Sequence, residues 1–278
     1  MVRPGMAKRR IDVNGITYAV HDEGQGPPVL LLHGFPDSSA LWRHQIPALV
    51  GAGFRVVAPD LRGFGESDKP QHVEGYRLHL VAGEVTTLLN TLGLDRVHVV
   101  GHDWGASLAW ILAAFSPERV DRLAVLSIGH PAANLPRTIE QRERSWYMLF
   151  FQFEGVAEEL LQRDDWRLMR EWLHGFGDEQ RYLADLTKPG ALTAGLNWYR
   201  ANLHPSRELK PMRPVPAVAA PTLGMWGSLD AYVTEAPMKR SGEFVTGSWR
   251  YERFEGASHW LQLDEPDRVN ELLLEHLR

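Results

Sequence analysis

The stretch Val97-His-Val-Val-Gly-His-Asp-Trp-Gly-Ala-Ser-Leu108 decides how this chain folds. Its first four residues are mostly β-branched, which is typical of a buried strand, and residues 106–115 are small and apolar, which indicates a helix packed closely on a sheet. Between them, Gly101 and Gly105 stand two residues on either side of Asp103. Glycines at these positions permit a tight strand-to-helix turn that lifts the side chain between them above the sheet. The pattern therefore predicts Asp103 at a helix N-terminus, where the helix dipole favours an ionised carboxylate.

The rest of the first half alternates between strand-like and helix-like segments. Strands are predicted at residues 16–21, 29–32, 54–58, 97–100 and 120–128, and helices at 38–50, 76–92 and 106–115. This alternation predicts the α/β class, with a mostly parallel central sheet, right-handed crossovers and flanking helices.

The sequence changes in character after about residue 134. Residues 135–216 are helix-like and rich in aromatic side chains, whereas strand patterns return at 221–226 and 249–254 and a last amphipathic helix is predicted at 266–278. We therefore predict one core domain, formed by residues 1–134 and 217–278, which is interrupted by a helical cap at residues 135–216.

Composition excludes several classes of protein. The chain has 278 residues and no cysteine, so it has no disulfide, thiolate metal site or cysteine nucleophile. Its net charge of −5 argues against a nucleic-acid partner. The longest apolar run, residues 108–115, is far shorter than the about 20 residues that span a bilayer, so no membrane is predicted. Residues 1–10 are charged and no apolar segment follows them, which favours a cytoplasmic location.

Neither a cofactor nor a metal is predicted. The sequence has no G-x-G-x-x-G or Walker loop, so no nucleotide is expected. His98 and His102 are four residues apart, but they lie on a strand and a turn and lack the intervening glutamate of an H-E-x-x-H helix.

Two further residues complete a catalytic arrangement with Asp103. Asp230 follows the predicted strand 221–226 by a few residues, and His259 follows the strand 249–254. Both lie beyond the carboxyl ends of strands, where sheets of this kind place their sites. The chain order of nucleophile, acid and histidine is also the order of the hydrolases that carry their nucleophile on such an elbow.

These motifs resemble those of the epoxide hydrolase and haloalkane dehalogenase branch of the α/β-hydrolase fold, over residues 10–278. The matching elements are His33-Gly-Phe-Pro36, residues 60–67, Gly101-His-Asp-Trp-Gly105, Asp230 and Gly256-Ala-Ser-His259. The resemblance implies that the backbone amides of Phe35 and Trp104 form an oxyanion hole. Residues 60–67 are interpreted as a structural loop.

An aspartate nucleophile suits displacement at carbon. A carboxylate is ionised at neutral pH and attacks without a base, which gives an ester on Asp103. His259, oriented by Asp230, then activates the water that hydrolyses this ester. A serine esterase or lipase is disfavoured, because no G-x-S-x-G motif is present.

The leaving group distinguishes the two branches. An epoxide oxygen must receive a proton as the ring opens, and a phenol with a pKa near 10 is a suitable donor. The cap segments around Tyr147 and Tyr199 resemble those in which soluble epoxide hydrolases carry paired ring-opening tyrosines. The prediction is therefore an epoxide hydrolase. The alternatives are carbon–halogen hydrolysis of the haloalkane dehalogenase type and a ligand-binding protein on the same fold.

Aromatic side chains in the cap favour an apolar substrate pocket. The predicted partners are a small apolar epoxide and water, and a homodimer is left open. The predicted pocket-lining residues are Phe35, Trp104, Trp146, Phe150, Phe151 and Trp198.

Overall fold

The structure is a computed structural model that describes residues 8–209 and 214–278. Residues 1–7, part of the N-terminal stretch considered above, lie outside the described residues. So do residues 210–213 of the predicted cap.

One eight-stranded sheet forms the centre of the chain, with the order β1-β2-β4-β3-β5-β6-β7-β8. β2 pairs antiparallel with both β1 and β4, and every other neighbouring pair is parallel. The predicted α/β class and mostly parallel sheet are therefore confirmed. The strands are β1 Arg9–Val13, β2 Ile16–Glu23, β3 Pro28–Leu32, β4 Arg55–Pro59, β5 Val97–His102, β6 Val120–Leu126, β7 Thr222–Gly227 and β8 Trp249–Phe254.

Helices cover both faces of the sheet and fill the segment between β6 and β7. The helices are α1 Gln45–Gly51, α2 Leu78–Thr91, α3 Trp104–Phe115, α4 Ile139–Arg144, α5 Trp146–Phe150, α6 Val156–Leu173, α7 Glu179–Leu186, α8 Ala191–Leu203, α9 Glu235–Arg240, α10 Leu261–Asp264 and α11 Pro266–Leu277. The backbone of α6 is non-helical at residues 163–166. Helices α4 to α8 lie within the predicted cap, whose boundaries remain a prediction.

The helix predicted at 38–50 is a 3₁₀ turn, Ser39–Trp42, followed by the separate helix α1. Pro47 accounts for the break, since it lacks an N–H and its ring would clash with the carbonyl four residues earlier in a continuous helix.

The position of β5 in the sheet places the site. All six residues of β5 are buried, and the strand lies between β3 and β6. Its carboxyl end meets the ends of β3, β6 and β7 at one edge, where the functional loops follow. No helix among the described residues is long and apolar enough to cross a bilayer. The cytoplasmic location remains a prediction.

Candidate active site

Asp103 occupies a strained turn between β5 and α3. Its φ of 53° and ψ of −120° lie in a region that residues with a Cβ rarely adopt. A Cβ on Gly101 would lie 2.4 Å from the carbonyl oxygen of Gly105, and a Cβ on Gly105 would lie 2.0 Å from that of Leu32. Both glycines are therefore required for the close approach of α3 to the sheet, as the spacing predicts.

The loop after β3 brings an amide donor to the Asp103 carboxylate. The backbone N–H of Phe35 donates to Oδ1 of Asp103 at 2.8 Å. A Cβ on Gly34 would lie 2.1 Å from the same oxygen, so this approach also needs a glycine. The amide of Trp104 is the first N–H of α3 and has no carbonyl partner within the helix. These two amides are the donors predicted for the oxyanion hole.

His259 lies between two carboxylates. Its Nδ1 is 2.7 Å from Oδ2 of Asp230, and its Nε2 is 3.6 Å from Oδ2 of Asp103. The other oxygen of Asp230 accepts hydrogen bonds from the backbone N–H groups of Tyr232 and Val233, at 2.8 and 2.9 Å. The three residues predicted from the sequence therefore meet in the structure, and the Asp230 side chain is fixed from both ends.

The backbone of His259 is held from the sheet side. Its carbonyl oxygen accepts from the Ser127 hydroxyl at 2.8 Å and from Nε2 of His102 at 2.9 Å. Burial, followed by the charge of His259, lowers the pKa of His102 to about 3. His102 is therefore a neutral donor that positions the loop carrying His259.

The charges in this cluster stabilise one another. Burial raises the pKa of the Asp103 carboxyl, but the interaction with His259 outweighs burial and holds that pKa below its usual range. Burial likewise lowers the pKa of His259, but the charges and hydrogen bonds of Asp230 and Asp103 prevail and raise it to about 10. The two neighbouring carboxyl groups therefore favour the protonated form of His259.

The two predicted cap tyrosines lie together near Asp103. Tyr147 on α5 and Tyr199 on α8 are both almost fully buried, with ring centroids 5.8 Å apart at a steep angle. Burial is the main cause that raises the pKa of both phenols well above the usual value, and the negative charge of Asp103 comes second for each. The carboxylate thus acts electrostatically on both hydroxyls.

Known proteins similar to this chain identify its family. A family model described as the α/β hydrolase fold matches residues 27–266. The chain belongs to the α/β hydrolase fold family. Epoxide hydrolase A of Mycobacterium tuberculosis is 34% identical over 97% of each chain, and epoxide hydrolase 4 of Mus musculus is 34% identical over 94% of this chain and 76% of the relative. The crystal structure of epoxide hydrolase A from Mycobacterium thermoresistibile superposes with a TM-score of 0.84 at 31% identity and covers 98% of both chains. The predicted resemblance to epoxide hydrolases of this fold is confirmed.

In this α/β hydrolase, three of the predicted pocket residues pack around Tyr199, and others lie elsewhere. Phe35 and Phe151 have ring centroids 5.6 and 5.0 Å from that of Tyr199. The Trp104 ring lies 5.1 Å from the same tyrosine. These three rings therefore lie around Tyr199, and their role as pocket lining remains a prediction.

Of the two predicted pocket residues on α5, Trp146 is exposed, whereas Phe150 is partly buried and its ring lies 5.9 Å from that of Phe151. Trp146 is 49% exposed, and its ring pairs with that of Phe150, four residues along the helix. Tyr147 and Phe151 share the inner side, again four residues apart. The expectation that Trp146 lines the pocket does not fit this placement, because adjacent residues on a helix face different directions.

Trp198 packs against core residues. Its Nε1–H donates to the carbonyl of Arg62 at 3.1 Å, and its ring lies 5.7 Å from that of Trp104. It therefore anchors α8 of the cap on the core, next to Tyr199. The loop at residues 60–67 is structural, as predicted, since the buried Asp60 carboxylate accepts from the backbone N–H groups of Ser39 and Glu66.

Sequence reasoning missed two aromatic residues at the site. The Trp172 ring lies 5.2 Å from Tyr147 and 5.7 Å from Phe35, and the Tyr232 ring lies 5.2 Å from His259. Tyr232 could have been found from its position two residues after Asp230, whereas Trp172 carries no distinguishing signal. Among the described residues, no group of three or more potential ligating side chains forms a candidate metal site.

Proposed function

We propose that this α/β hydrolase is an epoxide hydrolase that converts a small apolar epoxide and water into a vicinal diol. One observation carries the proposal: the elbow presents a carboxylate, Asp103, and two buried phenols lie within reach of its charge. The similarity to proteins named epoxide hydrolases supports the same reaction.

In the first half of the proposed reaction, Asp103 attacks the epoxide. Its Oδ1 is held by the Phe35 amide, which leaves Oδ2 as the nucleophile. Oδ2 forms a bond to one ring carbon while the bond from that carbon to the epoxide oxygen breaks. Tyr147 and Tyr199 hydrogen-bond the leaving oxygen, and one of them transfers its proton to the developing alkoxide. The product is a hydroxyalkyl ester of Asp103 and one phenolate.

In the second half, water hydrolyses the ester. The imidazolium of His259 first gives its proton to the phenolate, and the neutral imidazole then takes a proton from a water molecule, which attacks the Asp103 carbonyl carbon. The amides of Phe35 and Trp104 stabilise the tetrahedral oxyanion. When the intermediate collapses, the bond between the carbonyl carbon and the alkyl oxygen breaks, the hydroxyl that came from water gives its proton to this leaving oxygen, and the diol departs. The Asp103 carboxylate, the His259 imidazolium and both phenols are then in their resting protonation states.

Ester formation prepares His259 for its role as a base. In the resting site, the Asp103 charge contributes to the raised pKa of His259. Esterification moves that charge from Asp103 to the phenol that protonates the epoxide oxygen, so the imidazolium loses one of its two adjacent counter-ions and gives its proton more readily to the phenolate. His259 is therefore a base in the intermediate, although it is protonated in the resting site.

A single-turnover reaction in oxygen-18 water tests the ester mechanism. Water attacks Asp103 and not the substrate, so the first diol takes its new oxygen from the unlabelled carboxylate. Label then enters Asp103, where mass spectrometry of the peptide detects it. Full labelling of the diol in the first turnover would show direct attack by water and would refute the proposal.

A substrate screen tests the acid assignment and the alternative function. Styrene, alkyl and polycyclic epoxides are compared with chloro- and bromoalkanes, for the wild type and for Tyr147→Phe and Tyr199→Phe. We expect epoxide turnover to fall at least tenfold in each variant, whereas Tyr251→Phe, whose hydroxyl contacts Glu235 away from the site, is a matched control. Halide release that surpasses epoxide turnover would favour the carbon–halogen alternative. Unchanged epoxide rates in both variants would reject the tyrosines as acids.

A further inference from the structure

The turn that carries Asp230, the carboxylate partner of His259, is bound to the cap as well as to the core. We define the acid turn as residues 230–234, between β7 and α9. Its carbonyl groups and amides face helix α4, which lies immediately before the helix that carries Tyr147. The cap therefore contacts the Asp230–His259 pair through the backbone of this turn.

One side chain, Gln141, makes most of this connection. It is 3% exposed, and its Oε1 accepts hydrogen bonds from the backbone N–H and the hydroxyl of Thr234, both at 2.9 Å. Its Nε2 donates to the carbonyl of Tyr232 at 2.9 Å and to the Ser145 hydroxyl at 2.7 Å. The amide thus uses two donor and two acceptor positions, and three of the four bonds reach the acid turn.

Two further cap residues bind the same turn. Arg144 lies three residues after Gln141 on α4, and its Nη1 donates to the carbonyl of Asp230 at 2.6 Å. The Tyr232 hydroxyl donates to the carbonyl of Trp172 on α6 at 2.8 Å. The acid turn is therefore bound by α4 on one side and by α6 on the other.

The alignment of Asp230 depends on the shape of this turn. Oδ1 of Asp230 accepts from the amides of Tyr232 and Val233, and Oδ2 faces His259. The Tyr232 carbonyl that Gln141 binds belongs to the same peptide unit as the Val233 amide, and the Thr234 amide that it binds belongs to the next unit. A shift of the turn would move the amide donors and with them the carboxylate that orients the imidazole.

We infer that Gln141 is a positioning residue that holds the acid turn, and so controls the second half of the reaction more than the first. The inference rests on the proposed ester mechanism, in which Asp103 attacks without help from His259 but hydrolysis needs the Asp230–His259 pair. Loosening of the turn therefore slows hydrolysis and leaves alkylation nearly unchanged.

Steady-state constants separate these two steps. In a two-step mechanism, kcat/KM depends on binding and alkylation only, whereas slow hydrolysis lowers kcat and KM by the same factor. For Gln141→Leu we expect kcat and KM to fall together at least tenfold, kcat/KM to stay within threefold, and the ester to accumulate on Asp103 in quenched samples. Gln152→Leu is the matched control, because its Nε2 bonds only the Met148 carbonyl within the cap and does not contact the acid turn.

A milder variant and a measurement without substrate complete the test. Thr234→Val removes one donor to Gln141 but retains the backbone N–H, and we expect a twofold to fivefold fall in kcat and KM. Hydrogen exchange of a peptide spanning residues 228–236 is expected to accelerate at least tenfold in Gln141→Leu and to stay unchanged in Gln152→Leu.

Three outcomes would overturn the inference: an unchanged kcat, a fall in kcat/KM at constant KM, or unchanged exchange of the acid turn. The second would mean that Gln141 instead supports the ring-opening tyrosine. Absence of epoxide turnover in the wild type would refute the proposed function, and hydrogen exchange would then decide the inference by itself.

Discussion

Replacing Asp103 with asparagine is expected to make His259 far easier to deprotonate. In the resting site, Nε2 of His259 lies 3.6 Å from Oδ2 of Asp103, and the pKa of the imidazole is raised to about 10. Two unit charges at this separation attract by about 4–5 kcal/mol at an effective dielectric constant of about 20. Since 1.36 kcal/mol corresponds to a tenfold change in a proton equilibrium, loss of the charge makes deprotonation about a thousandfold easier.

The assay is an NMR titration with histidine labelled by nitrogen-15. The His259 resonances are assigned by their loss in His259→Gln and followed from about pH 5 to about pH 10 in the wild type and in Asp103→Asn. His102 is the internal reference, because burial lowers its pKa to about 3 and it stays neutral across this range.

The expected result is a midpoint that moves from strongly alkaline pH towards neutral pH in the asparagine variant. The sign follows from the charge: the carboxylate favours the imidazolium, so its loss favours the neutral ring. An unchanged midpoint would refute the reasoning, because the resting imidazolium would then owe its stability to Asp230 alone. The second half of the proposed mechanism would lose its physical basis with it.

Three predictions concern stability and are measured by urea unfolding. Gly105→Ala is expected to lower the free energy of unfolding by about 3 kcal/mol or more, because the new Cβ would lie 2.0 Å from a carbonyl oxygen of β3. Gly83→Ala, on an open face of α2, is expected to raise it by about 0.5–1 kcal/mol. Equal effects of the two substitutions would contradict the packing argument. Arg200→Met should cost about 3–5 kcal/mol, because it leaves the carboxylate of Glu158 largely buried without its partner, and a change below about 1 kcal/mol would be inconsistent with this account. Burial raises the pKa of Asp37 from 3.8 to about 8, so the unfolded chain ionises first as pH rises. The stability of the wild type relative to Asp37→Asn should therefore fall between about pH 4 and about pH 8, and a flat difference would show that Asp37 ionises normally.

The elbow could be predicted from sequence because its causes are local. A side chain at position 101 would clash within the strand–turn–helix unit, and one at position 105 would clash with β3. Both positions lie within one stretch of five residues, Gly101 to Gly105. Asp230 and His259 were located by their order and by the strands that precede them. The antiparallel strand β1 was missed, since Arg9–Val13 alternates charged and apolar residues without an apolar run and is stabilised by pairing with β2.

The orientation of the cap helices could not be predicted in the same way. Helix α5 has five residues, little more than one turn, which is too short for a periodic pattern to identify its buried face. Tertiary contacts make that choice: Tyr147 packs on Tyr199 and Tyr232, while the neighbouring Trp146 remains half exposed. Gln141 gives no signal either, because its role depends on bonds to residues 91 and 93 positions away in sequence.

Under the proposed mechanism, the charge of the Asp103 carboxylate affects the protonation of Tyr147, Tyr199 and His259. Burial first and the carboxylate of Asp103 second raise the pKa of Tyr147 and Tyr199, and the same carboxylate adds to the effect of Asp230 in raising the pKa of His259, so all three groups hold their protons while the nucleophile is free. As the ester forms, that charge moves from Asp103 to the epoxide oxygen and then to the phenol that protonates it, so the Asp103 charge no longer raises the pKa of that phenol or of His259. The phenols become stronger acids at the moment when the epoxide oxygen needs a proton, and the imidazolium becomes able to act as a base for the water that follows. Acid strength in the first half and base availability in the second therefore have the same electrostatic origin. For this reason, the burial that makes the isolated phenols poor acids is compatible with their proposed role.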